Sequence, residues 1–151
     1  MAIHADQALA FVVFELESYV GVYQIDEATG ALSQKFLVDL MPEPSPADFA
    51  AEIEISPSGK HLYVSNRANG AIVVYEILPD GNLDRVQVQF LGGSTPRHFR
   101  VHPSGAFLIV ALQDASKIEL YSIDSESGLL YGEAKSIDCP NSPTIVGLLD
   151  L

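Results

Sequence analysis

Apolar positions along the chain fall into short β-type runs, not helical stripes. The segments "LAFVV" (9–13), "HLYVS" (61–65) and "FLIVA" (107–111) read as apolar strands. Each is followed by a polar elbow: "FELESY", "NRANGA" and "LQDASK". A β-branched strand comes next, "VGVYQI", "IVVYEI" and "IELYSI", and then a Gly-bearing turn, "DEATGAL", "LPDGNL" and "DSESGLL". A more polar fourth strand closes the set, as in "RVQVQFL" (85–91), whose alternation suits an outer strand with one wet face. No helix is predicted. Within "EPSPADFAAEIEI" the stretch "ADFAAEI" has the makings of one turn, but its Pro-Ser-Pro lead and the strand that must follow favour a loop.

Three stretches, from Ile3, Ile55 and Val101, align almost without gaps. Two of them open on a "PSG" turn, Pro57-Ser58-Gly59 and Pro103-Ser104-Gly105. The anchor tyrosines Tyr23, Tyr75 and Tyr121 fall 52 and 46 residues apart, the length of a propeller blade. The expectation is an all-β partial β-propeller of three four-stranded antiparallel blades, at 1–48, 49–96 and 97–151. Three blades do not close a ring. The first copy has almost no innermost strand, and "CPNSPTIVGLLDL" begins a further one, so the reading is part of a larger ring. Missing blades, or self-association through exposed blade edges, would cover the open ends.

Composition narrows the function. With 151 residues, 48% hydrophobic and 19% charged, the chain is a globular domain. A net charge of −12 excludes a general nucleic-acid or anionic-membrane binder, but leaves room for a local pocket for a small anion. Cys139 is the single cysteine, so neither an intrachain disulfide nor a thiolate zinc site is available, and a cytosolic setting is the default. No apolar run approaches the ~20 residues of a membrane span. The histidines show no metal spacing, and no cofactor or metal is expected. A P-loop and a Gly-x-Ser-x-Gly elbow are both absent.

The candidate chemistry sits at the elbows and inner strands. Glu15, Arg67 and Gln113 occupy equivalent elbow positions and should gather around one hub. All four arginines (Arg67, Arg85, Arg97, Arg100) lie between residues 67 and 100. Arg67 therefore either helps to bind an anion or pairs with a neighbouring Glu15 or Glu52. Alternation in "AAEIEIS" places Glu52 and Glu54 on one face. If that face lines the hub, partial burial would raise the Glu52 carboxyl and suit it to acid or base work; the alternative is a solvated face. His98 in "TPRHF" is either a proton carrier or a hydrogen-bonded structural residue. His4 and His102 share one repeat position, which argues for a structural role, and His61 at a strand start is expected to be exposed. The loop "LGGSTPRH" (91–98) could hold an anion on backbone amides or act as a hinge between blades.

The set "AEIEISPSGKHLYVSNRANGAIVVYEI", "GGSTPRHFRVHPSGAFLIVALQDASKIELYSID" and "AFVVFELESYVGVY" resembles the lactonase seven-bladed β-propeller family, in its C-terminal portion. "CPNSP" near Cys139 is similar to that family's "PSPVCV". The resemblance implies hydrolysis of a small anionic sugar-acid lactone such as 6-phosphogluconolactone. It implies catalytic roles for Glu52, Arg67 and Arg97, with Glu15, His98 and Gln113 binding the substrate. The family's "GPRH" histidine would fall one residue before Met1. The other reading is a non-catalytic binding or interaction protein.

Overall fold

A computed structural model describes residues 1–17, 19–43 and 48–148. Three four-stranded antiparallel sheets follow one another along the chain. The first holds β1 (Ala2–Ile3), β2 (Leu9–Val13), β3 (Tyr19–Ile25) and β4 (Leu32–Asp39). The second holds β5 (Ala50–Ile55), β6 (His61–Asn66), β7 (Ala71–Ile77) and β8 (Leu83–Phe90). The third holds β9 (Pro96–Val101), β10 (Phe107–Leu112), β11 (Lys117–Ile123) and β12 (Leu130–Asp138). Every sheet is a simple meander in chain order, and no helix occurs among the described residues. Each sheet is one blade of a partial seven-bladed propeller. The Pro-Ser-Pro at 44–46, on which the loop expectation leaned, lies outside the described residues; Asp48 and Phe49 are irregular and β5 begins at Ala50.

The middle blade shows why the sequence folds this way. Blades pack against it on both sides, so every residue of β6 and nearly every residue of β7 is buried. One face of this sheet supplies Leu62, Val64, Val73 and Tyr75 to a core shared with Phe11, Val20 and Val22 of the first blade. The other face supplies Tyr63, Ile72 and Val74 to a core shared with Phe99, Leu108, Val110 and Leu112 of the third. Each fully buried side chain of this kind contributes about 1.5–3 kcal/mol. The outer strand β4 is mostly exposed, as its polar pattern requires.

The repeat extends to irregularities. The ladder between the third and fourth strand of each blade slips beside the anchor tyrosine, at Val22/Tyr23, Val74/Tyr75 and Leu120/Ser122. Tyr75 sends its hydroxyl into the preceding blade, donating to the carbonyls of Asp39 (3.0 Å) and Leu40 (3.1 Å). His4 and His102 cap equivalent turns. The Nδ1 of His4 accepts from the amides of Asp6 and Gln7, and that of His102 from Ser104. The Nε2 of His4 also bonds the Gly59 carbonyl at 2.9 Å, tying the first blade to the second.

The structure corrects one expectation and refines another. His61 is buried, not exposed: its ring seats against Gly128 of the third blade, in the seam where Tyr63 donates to the Gly128 carbonyl. A position at a strand start says nothing about the blade that will cover it. The segment after β12, read from the sequence as the start of a further strand, forms no ladder between 139 and 148.

Candidate functional site

The inner strands β1, β5 and β9 lie side by side, and two of them are bulged where they approach the hub. The pairing of β5 with β6 slips between Ala50 and Ile53, across Ala51 and Glu52. The pairing of β9 with β10 slips at Arg97, between the His98↔Ala111 and Pro96↔Leu112 pairs. Bulges re-aim side chains, and here they turn Glu52 and Arg97 toward one opening. That opening is a cleft of about 590 Å³, within the ~300–1,000 Å³ range of small-molecule sites. Five of the six predicted residues line it: Glu15 from the first blade, Glu52 from the second, and Arg97, His98 and Gln113 from the third. Ala51, Thr144 and Ile145 complete the lining.

Arg67 is not among the lining residues. Its Nη2 pairs with Glu15 Oε1 at 2.5 Å, so the pairing alternative from the sequence is the arrangement found. The guanidinium also lies over the Phe49 ring, 5.8 Å from its centroid. Its Nε is buried and has no hydrogen-bond partner among the described residues.

Glu52 and Glu54 do share a face, and that face meets β9. Glu52 Oε2 lies 3.1 Å from His98 Nε2, while its Oε1 accepts from the Ile53 amide at 3.0 Å. Glu54 is spent on the blade contact: Oε2 accepts from the Val101 amide at 2.8 Å, and Oε1 faces Arg100 Nη1 at 3.4 Å. Burial pushes the Glu54 carboxyl up from its ordinary 4.5. On its other side, His98 Nδ1 accepts from the Val146 amide at 3.3 Å.

Three of the four arginines are thus engaged by protein acceptors: Arg67 by Glu15, Arg100 by Glu54, and Arg85 by the Asp39 carbonyl at 2.8 Å. Arg97 is exposed in the cleft and has no such partner among the described residues. The "LGGSTPRH" loop does hold an anion on an amide, but an internal one. Gly92 donates to the buried Glu119 carboxylate, which also accepts from the Tyr121 hydroxyl at 2.8 Å. No group of three or more His, Cys, Asp or Glu suited to a metal ion occurs among the described residues. The described residues contain no helix long and apolar enough to cross a membrane.

Sequence reasoning missed Thr144, Ile145 and Val146. They carry no distinctive chemistry, and only the path of the chain brings them to the hub. The bulge at Arg97 was equally silent in the sequence.

The chain and its fold are similar to those of known proteins. A 6-phosphogluconolactonase of Pectobacterium atrosepticum is 38% identical over 129 residues, covering 85% of this chain and 39% of the relative. The crystal structure of a protein from Lactobacillus plantarum superposes with a TM-score of 0.93 at 31% identity, over 99% of this chain and 44% of that one. The periplasmic gluconolactonase of Pseudomonas aeruginosa gives 0.86 at 29% identity, over 94% and 39%. The chain therefore spans about two-fifths of the length of the curated relatives it matches. The family profile described as "Lactonase, 7-bladed beta-propeller" matches residues 1–147, and the chain belongs to that family.

Proposed function

We propose that this chain carries the catalytic cleft of a lactone hydrolase acting on an anionic sugar-acid lactone such as 6-phosphogluconolactone. The observation that carries the reading is Arg97, a cation with no protein partner among the described residues, sharing one cleft with the Glu52–His98 pair in a protein of net charge −12. A cation left free among so many carboxylates is suited to an incoming anion.

The chemistry follows from the groups present. A water in the cleft attacks the lactone carbonyl carbon and gives its proton to the Glu52 carboxylate. Charge gathers on the carbonyl oxygen, where a guanidinium stabilises it. The ring C–O bond then breaks, and the proton held on Glu52 passes to the departing ring oxygen, leaving a hydroxy acid. Gln113 and Glu15 offer hydrogen-bond partners for sugar hydroxyls. Arg67 acts through Glu15, which it holds at the cleft edge.

The relatives named 6-phosphogluconolactonase support the substrate class. A cytosolic setting rests on the single cysteine, and a periplasmic relative marks the alternative. The test is the opening of 6-phosphogluconolactone followed against spontaneous hydrolysis, for the wild type, Glu52→Ala and Arg97→Ala. A wild-type rate no greater than the spontaneous one removes the reading. The interaction-protein reading then gains, since Phe107, Tyr131 and Ile137 of the third blade stand 40%, 57% and 64% exposed, ready to be covered by further blades or a second copy.

A further inference from the structure

We infer that His98 is a positioning residue for Glu52, held as the neutral Nε2–H tautomer by the backbone N–H of Val146. The inference rests on the reading of Glu52 as the base of the cleft.

The two ring nitrogens of His98 face opposite partners. Val146 N–H, which can only donate, points at Nδ1 from 3.3 Å. Nδ1 must therefore be an acceptor and carry no proton. A neutral imidazole has one N–H, so the proton sits on Nε2. Nε2 lies 3.1 Å from Glu52 Oε2, which accepts it. The other carboxylate oxygen is fixed by the Ile53 amide at 3.0 Å. Glu52 is thus gripped at both oxygens, and its plane is set by one backbone amide and one imidazole. A carboxylate oriented in this way presents its remaining lone pairs to the cleft in one direction, which a base needs if it is to meet a bound water.

The donor comes from a segment that crosses the blade to reach the hub. β12 is the outermost strand of the third blade and β9 the innermost, three strand spacings or about 14 Å apart. The chain leaves β12 at Asp138, and the Cys139 amide is pinned to the Ser116 carbonyl at 2.8 Å. Asn141 and Ser142 then adopt left-handed backbone, φ 75° and 53°, which turns the chain. The residues from Cys139 to Val146 span at most ~3.5 Å each when extended, so the segment reaches the hub with slack for that turn. Thr144 and Ile145 line the cleft on the way, and Val146 delivers its amide to His98. Glu52, His98 and Val146 thus form a chain of hydrogen bonds running from one inner segment to the next.

The test reads the tautomer directly. In the 15N-histidine-labelled protein at about pH 8, two-bond proton–nitrogen correlations assign the protonated nitrogen of each of the four histidines. His98 is identified by its loss in His98→Gln. The expected result is a single Nε2–H form for His98, with Nδ1 unprotonated, and a loss of that preference in Val146→Pro, which lacks the N–H. An Nδ1–H form, an averaged pair of tautomers or an imidazolium would overturn the inference, whether or not the protein opens lactones. Activity supplies the second arm. His98→Gln keeps an amide N–H near the Nε2 position and retains most of kcat, while His98→Asn places it near Nδ1 and loses up to ~100-fold in kcat at little change in KM. Equal losses in the two variants would mean that His98 only fills space.

Discussion

The seam between the second and third blades offers a matched pair of substitutions. Gly128 and Gly132 both take left-handed backbone, φ 70° and 78°. A Cβ added at Gly128 would lie 2.3 Å from His61 Cγ and 2.5 Å from Nδ1, whereas one added at Gly132 meets nothing within 4 Å. Gly132→Ala should therefore cost only the left-handed penalty of an L-residue, about 1–2 kcal/mol. Gly128→Ala adds the overpacking of a buried ring, about 1–3 kcal/mol more. At ~3 °C per kcal/mol for a chain of this size, that is a Tm loss of ~3–6 °C for Gly132→Ala and ~6–15 °C for Gly128→Ala. Chemical denaturation with matched m-values checks the free energies, and the scan checks Tm. Trimming the ring in His61→Ala/Gly128→Ala should recover the excess, because the clash is then gone. Equal losses at the two glycines, or no coupling with His61, would refute the packing of the third blade against the second.

The remaining predictions test the site and the seams. Arg97→Ala should lower kcat by ~10–150-fold on phosphorylated and unphosphorylated lactones alike, the worth of a charge-assisted hydrogen bond of about 1.5–3 kcal/mol to the developing oxyanion, as steady-state kinetics on both will show. Tyr75→Phe takes the hydroxyl donor from the Leu40 carbonyl, while the Asp39 carbonyl keeps Arg85, and should cost ~1–3 kcal/mol by denaturant melt. Tyr23→Phe, at the same repeat position with a hydroxyl that bonds nothing among the described residues, should be close to neutral. Two groups shifted by partial or full burial give opposite pH slopes. Burial raises the Glu54 carboxyl above 4.5, so the folded chain holds a proton that the unfolded chain releases, and stability falls as pH rises through the window just above 4.5. Burial lowers the His61 imidazole below 6.5, so the unfolded chain takes a proton that the folded one refuses, and stability falls as pH drops below 6.5. Melts of Glu54→Gln and His61→Gln should each flatten only their own slope.

The sequence by itself determined the blade. Strand order, turn positions and the equivalence of Tyr23, Tyr75 and Tyr121 follow from local period and turn chemistry, which depend on residues close together in the chain. It also put Glu15, Arg67 and Gln113 at equivalent elbows of a radial repeat; Glu15 and Gln113 line one cleft, and Arg67 pairs with Glu15 beside it. Tertiary structure alone decided which charges were free. Arg67 and Arg97 look alike in the sequence, yet one meets Glu15 from 52 residues away and the other lines the cleft with no protein partner among the described residues. It alone buried His61, since the burial comes from Gly128 of another blade. It alone brought the Val146 amide to His98, 48 residues distant. Partners of this kind are fixed by the angle and spacing of whole sheets, and neither is written in the local pattern of any strand.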